Sequence, residues 1–246
     1  MPATAAARLL RAYQTHASLA VGADSAPASA AAAYAVQGEI WGALVGSQRP
    51  HAWKVGAPTR DALPSAAAIF PQRIALSPAR FSRADFFALG IEAEIALRFG
   101  RDLPARASPW TRAEILAAIA SAHVAMELVD TRLADPEAAG PLWRLADNLL
   151  NGGLVLGDSI ANWRDLDYAG LRVRVLADGQ TIAETVGRPP LDDIFYCLPW
   201  WLEHAGGARA GDIVTTGAWN GMHRVGMPAA VGVEFVGLGS AAAAVR

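Results

Sequence analysis

Cysteine occurs once in the 246 residues, at Cys197. A lone thiol cannot close an internal disulfide, and with no CxxC pair and no Cys/His cluster there is no frame for structural zinc. This usage implies a reducing, cytoplasmic compartment. An excess of charge is lacking as well: 21 Lys and Arg stand against 23 Asp and Glu, for a net charge of −2. No basic field draws a phosphate backbone, so no nucleic-acid partner is expected. No stretch reaches the roughly 18 apolar residues that a membrane helix needs, which argues against membrane insertion. The N-terminal MPATAAARLLRAYQTHASLAV is interrupted by Gln14 and His16, unlike a secretory signal. Ala7, Leu10, Tyr13 and Leu19, with Leu9 alongside, instead suggest an amphipathic surface helix. Fixed-period repeats, nucleophile elbows, phosphate loops and dinucleotide fingerprints are all missing.

What the chain does have is apolar material, 53% of residues against 18% charged, enough for a sizeable core. Residues 1–48 read as a helical region, with a linker near Gly22–Pro27 and a second helix through SAAAAYAVQGEIWGALVG. From His51 the texture changes to short strand-like runs that continue through residues 49–246, the main domain. Three helices interrupt them: PWTRAEILAAIA, where Thr111 and Glu114 form a capping-box start; PLWRLADNLL; and PLDDIFYCLPWWLEHAGG. Asp178-Gly179 between two alternating runs is a hairpin signal. Strands do not alternate regularly with crossover helices, so a doubly wound sheet is not expected. An α+β fold with a mixed, twisted, partly antiparallel β core is.

The chemistry gathers on carboxylates. In Ile91-Glu92-Ala93-Glu94-Ile95-Ala96-Leu97, strand alternation puts Glu92 and Glu94 on one face and the apolar residues on the other. Two carboxylates roughly 7 Å apart need a cation or a proton wherever water is excluded. A half-exposed edge strand with two solvated glutamates is the plainer reading. In His123-Val124-Ala125-Met126-Glu127-Leu128-Val129-Asp130-Thr131-Arg132, Glu127 interrupts an apolar run and needs a metal or a paired arginine. Asp130 and Arg132 can pair with each other or with Asp147, steadying such a site from behind. An all-oxygen ligand set selects a hard ion such as Mg²⁺ or Mn²⁺, and a 2-oxo acid chelates such an ion well. Lys54, in Trp53-Lys54-Val55, either reaches to solvent or lies beside the metal to bind a carboxylate or carry a proton. His123 shares a face with Glu127, although a hydrogen-bonded structural histidine explains it as well.

From Ala30 to Val245 the sequence resembles the 2-keto-4-pentenoate hydratase family of the fumarylacetoacetate hydrolase superfamily. The resemblance rests on the order and spacing of AYAVQ (Tyr34, Gln37), WKVG (Lys54, Gly56), GIEAEIALRF, AMELVDTR, LADN (Asp147, Asn148), VLG and TTGAW…FVGLGS. It implies a mixed β-roll with flanking helices, and a metal held by Glu92, Glu94 and Glu127. It also implies a homo-oligomer working in aromatic-compound catabolism. The implied reaction adds water to a 2-hydroxy-2,4-dienoate to give a 4-hydroxy-2-oxo acid. Lys54 would orient or protonate the substrate, while Thr216 and Gly217 would bind its carboxylate through hydroxyl and backbone N–H.

Three stretches depart from the family pattern. Leu63-Pro64-Ser65-Ala66-Ala67-Ala68-Ile69-Phe70 lacks the usual acidic residue and glycine, and Ser65 stands near the acidic position. Leu149-Leu150-Asn151 replaces small, serine-containing residues, and Val225-Gly226-Met227-Pro228 replaces a glycine-aspartate turn. These changes leave a metal-dependent decarboxylase of a 2-oxo-dioate, or a non-catalytic subunit partnering a related decarboxylase or hydratase, as alternatives to the hydratase.

Overall fold

The computed structural model describes residues 3–246; the first two positions of the 1–48 region lie outside the described residues. Helices α1 (Ala5–Thr15) and α2 (Ala30–Leu44) come first. Strands β1 (Ala52–Gly56), β2 (Ser65–Ala68), β3 (Ile74–Leu76), β4 (Ala79–Phe81), β5 (Leu89–Phe99) and β6 (Leu103–Pro104) follow. Helix α3 (Arg112–Ala118) leads into β7 (Ile119–Val129), and α4 (Pro136–Ala139) and α5 (Pro141–Ala146) precede β8 (Asn151–Ile160). The chain continues with β9 (Arg172–Ala177), β10 (Gln180–Val186), α6 (Leu198–His204), β11 (Gly207–Ala208) and β12 (Ile213–Thr215). It ends with β13 (His223–Val225), β14 (Ala229–Phe235) and β15 (Gly239–Val245). No helix of the described residues is long and apolar enough to cross a membrane.

The larger sheet runs β2-β1-β12-β5-β7-β8-β3, with β13 also paired to β5. The smaller runs β10-β9-β14-β15-β4, and parallel and antiparallel pairings mix in both. This is the expected α+β architecture of curled, mixed sheets. Alternation on β5 and β7 sends Ile91, Ile95, Val124 and Met126 toward the smaller sheet, where they join Val173, Val175, Val231 and Phe235 in one continuous core. Opposite faces of the same strands are thereby left for polar side chains. A second cluster forms where α1 and α2 meet α5, burying Leu9, Val36, Ile40 and Trp143 with Phe70 and Leu133. The N-terminal helices therefore cover one end of the larger sheet.

Local signals explain several boundaries. Thr111 and Glu114 form the reciprocal capping box at the start of α3. Asp178 and Gly179 both take positive φ, 47° and 79°, and close the β9–β10 hairpin. Two expectations need correction. The buried centre of the α1 face is Ala6, Leu9 and Ala12; Leu10 and Tyr13 pack half-buried beside it, Ala7 is exposed, and Leu19 lies beyond the helix. An alanine-rich helix gives its neighbouring faces nearly the same apolar signal, so periodicity misplaces the stripe by one residue. The helices expected over PLDDIFYCLPWWLEHAGG and PLWRLADNLL are only Leu198–His204 and Pro141–Ala146. Pro199 belongs in a first helical turn, where its missing N–H is not needed, so the residues before it form turns instead.

Candidate metal centre

Strands β5 and β7 pair antiparallel with Glu92 directly opposite Glu127, and Glu94 opposite Ala125. Residues opposite one another in such a pair share a sheet face, so the register brings all three glutamates together. Glu94 is 1% exposed and Glu127 fully buried, which rules out the solvated edge strand. One carboxylate oxygen from each of the three lies within 4.8 Å of the others.

Lys54 reaches the group from β1. Its Nζ donates to Glu127 Oε1 at 2.6 Å and to the Leu149 carbonyl at 3.1 Å. The cation paired with Glu127 is thus a lysine rather than the expected arginine, and it takes one oxygen only: Oε2 is buried and has no hydrogen-bond partner. Asn151, at the start of β8, donates its Nδ2 to the same Oε1 at 3.0 Å. The Gly217 backbone N–H donates to Glu94 Oε2 at 2.8 Å, and the Thr216 hydroxyl donates to the Ile95 carbonyl at 2.9 Å. Ser65, the first residue of β2, pairs with Gly56 of β1, and alternation places it on the same sheet face as Lys54.

Electrostatics follow from this crowding. Burial pushes Glu92 up to about 7, with Lys54 opposing the rise and Glu127 adding to it. Glu94 is held well above the usual carboxylate range by burial and by facing Glu127 and Glu92. Burial alone would lower the Lys54 ammonium, but Glu127 and Glu92 outweigh it and hold the group above its ordinary value. With every group ionised, three carboxylates and one lysine leave two negative charges uncompensated, which suits a divalent cation. The orphaned Glu127 Oε2 and the all-oxygen donor set fit a hard ion such as magnesium or manganese.

Behind the glutamates, Arg132 donates from Nε to Asp147 Oδ1 at 2.6 Å and from Nη2 to the Asp147 carbonyl at 2.7 Å. Asp147 also accepts from the Thr131 hydroxyl at 2.8 Å. Asp130 lies 4.0 Å from Arg132 and accepts the backbone N–H groups of Phe87 and Ala88. Arg132 thus chooses Asp147 and leaves Glu127 to Lys54. His123 is apart from the group and pairs with the Ser121 hydroxyl at 2.9 Å. Sequence reasoning did not foresee how the loop before β8 takes part. Asn148, Leu149 and Leu150 occupy the left-handed region in succession, with φ of 56°, 51° and 59°. That turn aims the Leu149 carbonyl at Lys54 and delivers Asn151 to Glu127. Its only trace in the sequence is Leu149-Leu150-Asn151 where the resembling family has small residues.

Comparison with known proteins adds a family. Residues 45–246 match the family model described as fumarylacetoacetate (FAA) hydrolase C-terminal. A 2-keto-4-pentenoate hydratase of Burkholderia vietnamiensis (strain G4 / LMG 22486) is 32% identical over 154 residues, covering 61% of this chain and 58% of that protein. A 2-keto-4-pentenoate hydratase 2 of Dechloromonas aromatica (strain RCB) is 28% identical over 163 residues, covering 62% and 59%. The matches thus span less than two thirds of these curated relatives. Among solved structures, 4-oxalocrotonate decarboxylase from Pseudomonas putida G7, complexed with magnesium and adipate, superposes with a TM-score of 0.83. That match covers 98% of this chain and 96% of that one at 20% identity, a likeness of fold. A match over most of its length to one family model shows that the chain belongs to the fumarylacetoacetate hydrolase family.

Proposed function

We propose that the protein is a divalent-metal-dependent hydro-lyase that adds water to a 2-hydroxy-2,4-dienoate and releases a 4-hydroxy-2-oxo acid. The observation that carries this reading is the buried convergence of Glu92, Glu94 and Glu127 beside Lys54. The hydratase relatives support the choice of reaction.

In this reading the three glutamates hold Mg²⁺ or Mn²⁺. The ion, when bound, supplies Lewis acidity to a chelated 2-oxo acid and favours its enolate. Lys54, held protonated by the surrounding carboxylates, serves as a proton donor or an anchor for substrate charge rather than as a base. Gly217 steadies Glu94, so a substrate carboxylate arriving there would share that N–H with Oε2. Thr216 and Ser65 border the substrate side, while Asp147, Arg132 and Asp130 keep the β7 end rigid. Residues 49–246 form the catalytic domain and 1–48 a helical region packed on it. The setting is a reducing cytoplasm, the assembly a homo-oligomer, and the context aromatic-compound catabolism.

The test is direct. Purified protein with Mg²⁺ should remove the absorbance of 2-hydroxypenta-2,4-dienoate, and Glu127→Gln should not. Unchanged absorbance from folded, metal-loaded wild-type protein would refute the assignment. A second reading, decarboxylation of a 2-oxo-dioate, is favoured by the near full-length likeness to the decarboxylase structure. Carbon dioxide release from such a substrate decides between the two. A chain inactive alone but stably bound to a related decarboxylase or hydratase would instead mark a non-catalytic partner.

A further inference from the structure

We propose that Asn151 is a positioning residue for the cation site, fixing the Glu127 carboxylate so that Oε2 alone is offered to the ion. The proposal rests on the metal-binding reading above and extends it to a residue that the resemblance does not supply.

The two oxygens of Glu127 have different surroundings. A carboxylate on a long side chain can turn about its last torsion and exchange its oxygens at little cost. Here Oε1 accepts from Lys54 Nζ at 2.6 Å and from Asn151 Nδ2 at 3.0 Å, while Oε2 accepts from nothing. Two donors arriving from different strands hold the group in one rotation. Lys54 has a long, flexible stem and a freely turning ammonium, so by itself it restrains the charge more than the plane. The Asn151 amide is short, planar and 1% exposed, and it sets the plane.

Asn151 is in turn held from behind. Its carbonyl accepts from Arg132 Nη1 at 3.2 Å, and Arg132 is locked on Asp147. The left-handed turn over Asn148–Leu150 ends in the Leu150 carbonyl, which accepts the Asp130 N–H at 2.8 Å. The Arg132–Asp147 pair therefore acts on the cation site through Asn151, with no direct contact to the three glutamates. Amide orientation follows from the same geometry: a flipped side chain would face its own oxygen against Glu127 Oε1. As oriented, Asn151 Oδ1 is a buried acceptor without a partner.

The test measures Mg²⁺ binding to the full-length chain by titration calorimetry, and the Mn²⁺ environment by electron paramagnetic resonance. Asn151→Ala should weaken Mg²⁺ binding by about 10–100-fold, the range for partners that orient metal ligands, and should broaden the Mn²⁺ spectrum. Asn151→Ser, with a donor too short to reach Oε1 as the amide does, should fall between alanine and wild type. A merely structural role would lower the unfolding midpoint and leave affinity and spectrum unmoved. Wild-type values of both in either folded variant would overturn the proposal, and serine decides it should alanine fail to fold. A wild-type chain that binds neither ion would overturn the metal reading and this inference together. Wild-type binding with unaltered variants would overturn this inference alone.

Discussion

Replacing Lys54 with methionine keeps most of the volume of the side chain and removes its charge. In the metal-free protein this strands Glu127, fully buried and paired to Lys54 at 2.6 Å, with Asn151 as its remaining donor. Removing one partner of a buried pair costs about 3–5 kcal/mol. Because the Lys54 side chain is 18% exposed, the lower end applies, about 3 kcal/mol. Metal affinity should move the other way. A dication and a unit charge about 5 Å apart repel by roughly 6–7 kcal/mol at an effective dielectric of about 20, and an ion held by the three glutamates would share their surroundings with the ammonium. If only a fifth of that survives relaxation and solvent, the variant binds Mg²⁺ about tenfold tighter. Lys54 also holds the Glu92 and Glu94 carboxyls down, so both rise in the variant; the titration is therefore run from pH 7 upward and the gain read at the alkaline end, at pH 9, where proton competition is least. Urea unfolding with and without saturating Mg²⁺ completes the cycle, and the stability deficit should shrink when the ion is present. Equal or weaker binding by folded Lys54→Met at pH 9 would refute the reasoning, since Lys54 would then not face the ion.

Binding should also be linked to protons: at pH 6 Glu92 is mostly protonated without metal, so Mg²⁺ must expel that proton. Affinity should rise with pH through about 7 as Glu92 loses its proton, and calorimetry in buffers of different ionisation enthalpy should reveal the release. Without metal the same group makes stability fall as pH rises from its unfolded value through about 7, because the folded state binds the extra proton; urea midpoints across that range test the sign. Asp147→Ala should destabilise the fold by about 3–5 kcal/mol, since it leaves Arg132 buried without its partner; chemical denaturation measures it. Gly157→Ala should cost about 1–3 kcal/mol or more, because a Cβ there would sit 2.0 Å from the Ser240 carbonyl oxygen where the two sheets touch.

Much of the site was legible because it obeys a local rule. Period-two alternation alone puts Glu92 and Glu94 on one face, and the capping box and the Asp178-Gly179 hairpin are likewise contained within a few residues. Glu127 could be recognised as a misfit in an apolar run. Its place opposite Glu92 depends on the β5–β7 register, which is set by packing between residues 35 apart in sequence. Asn151 was out of reach for another reason. Three consecutive left-handed residues, none of them glycine, run against intrinsic preference by about 1–2 kcal/mol each, and only the surrounding contacts select them.

The curl of the larger sheet gives the Lys54–Glu127 contact a further meaning. Strands β1 and β7 are separated by β12 and β5, so in a flat sheet their axes would lie about 14 Å apart, with side chains standing off in parallel. The contact is a chord drawn across an arc, and its length gauges how tightly the sheet is rolled. Any change that relaxes the roll, even on the far edge at β2, lengthens the chord first. Detachment of β1 and β2 and dismantling of the glutamate centre are then one event. Amide exchange along those two strands should therefore rise together with loss of the centre.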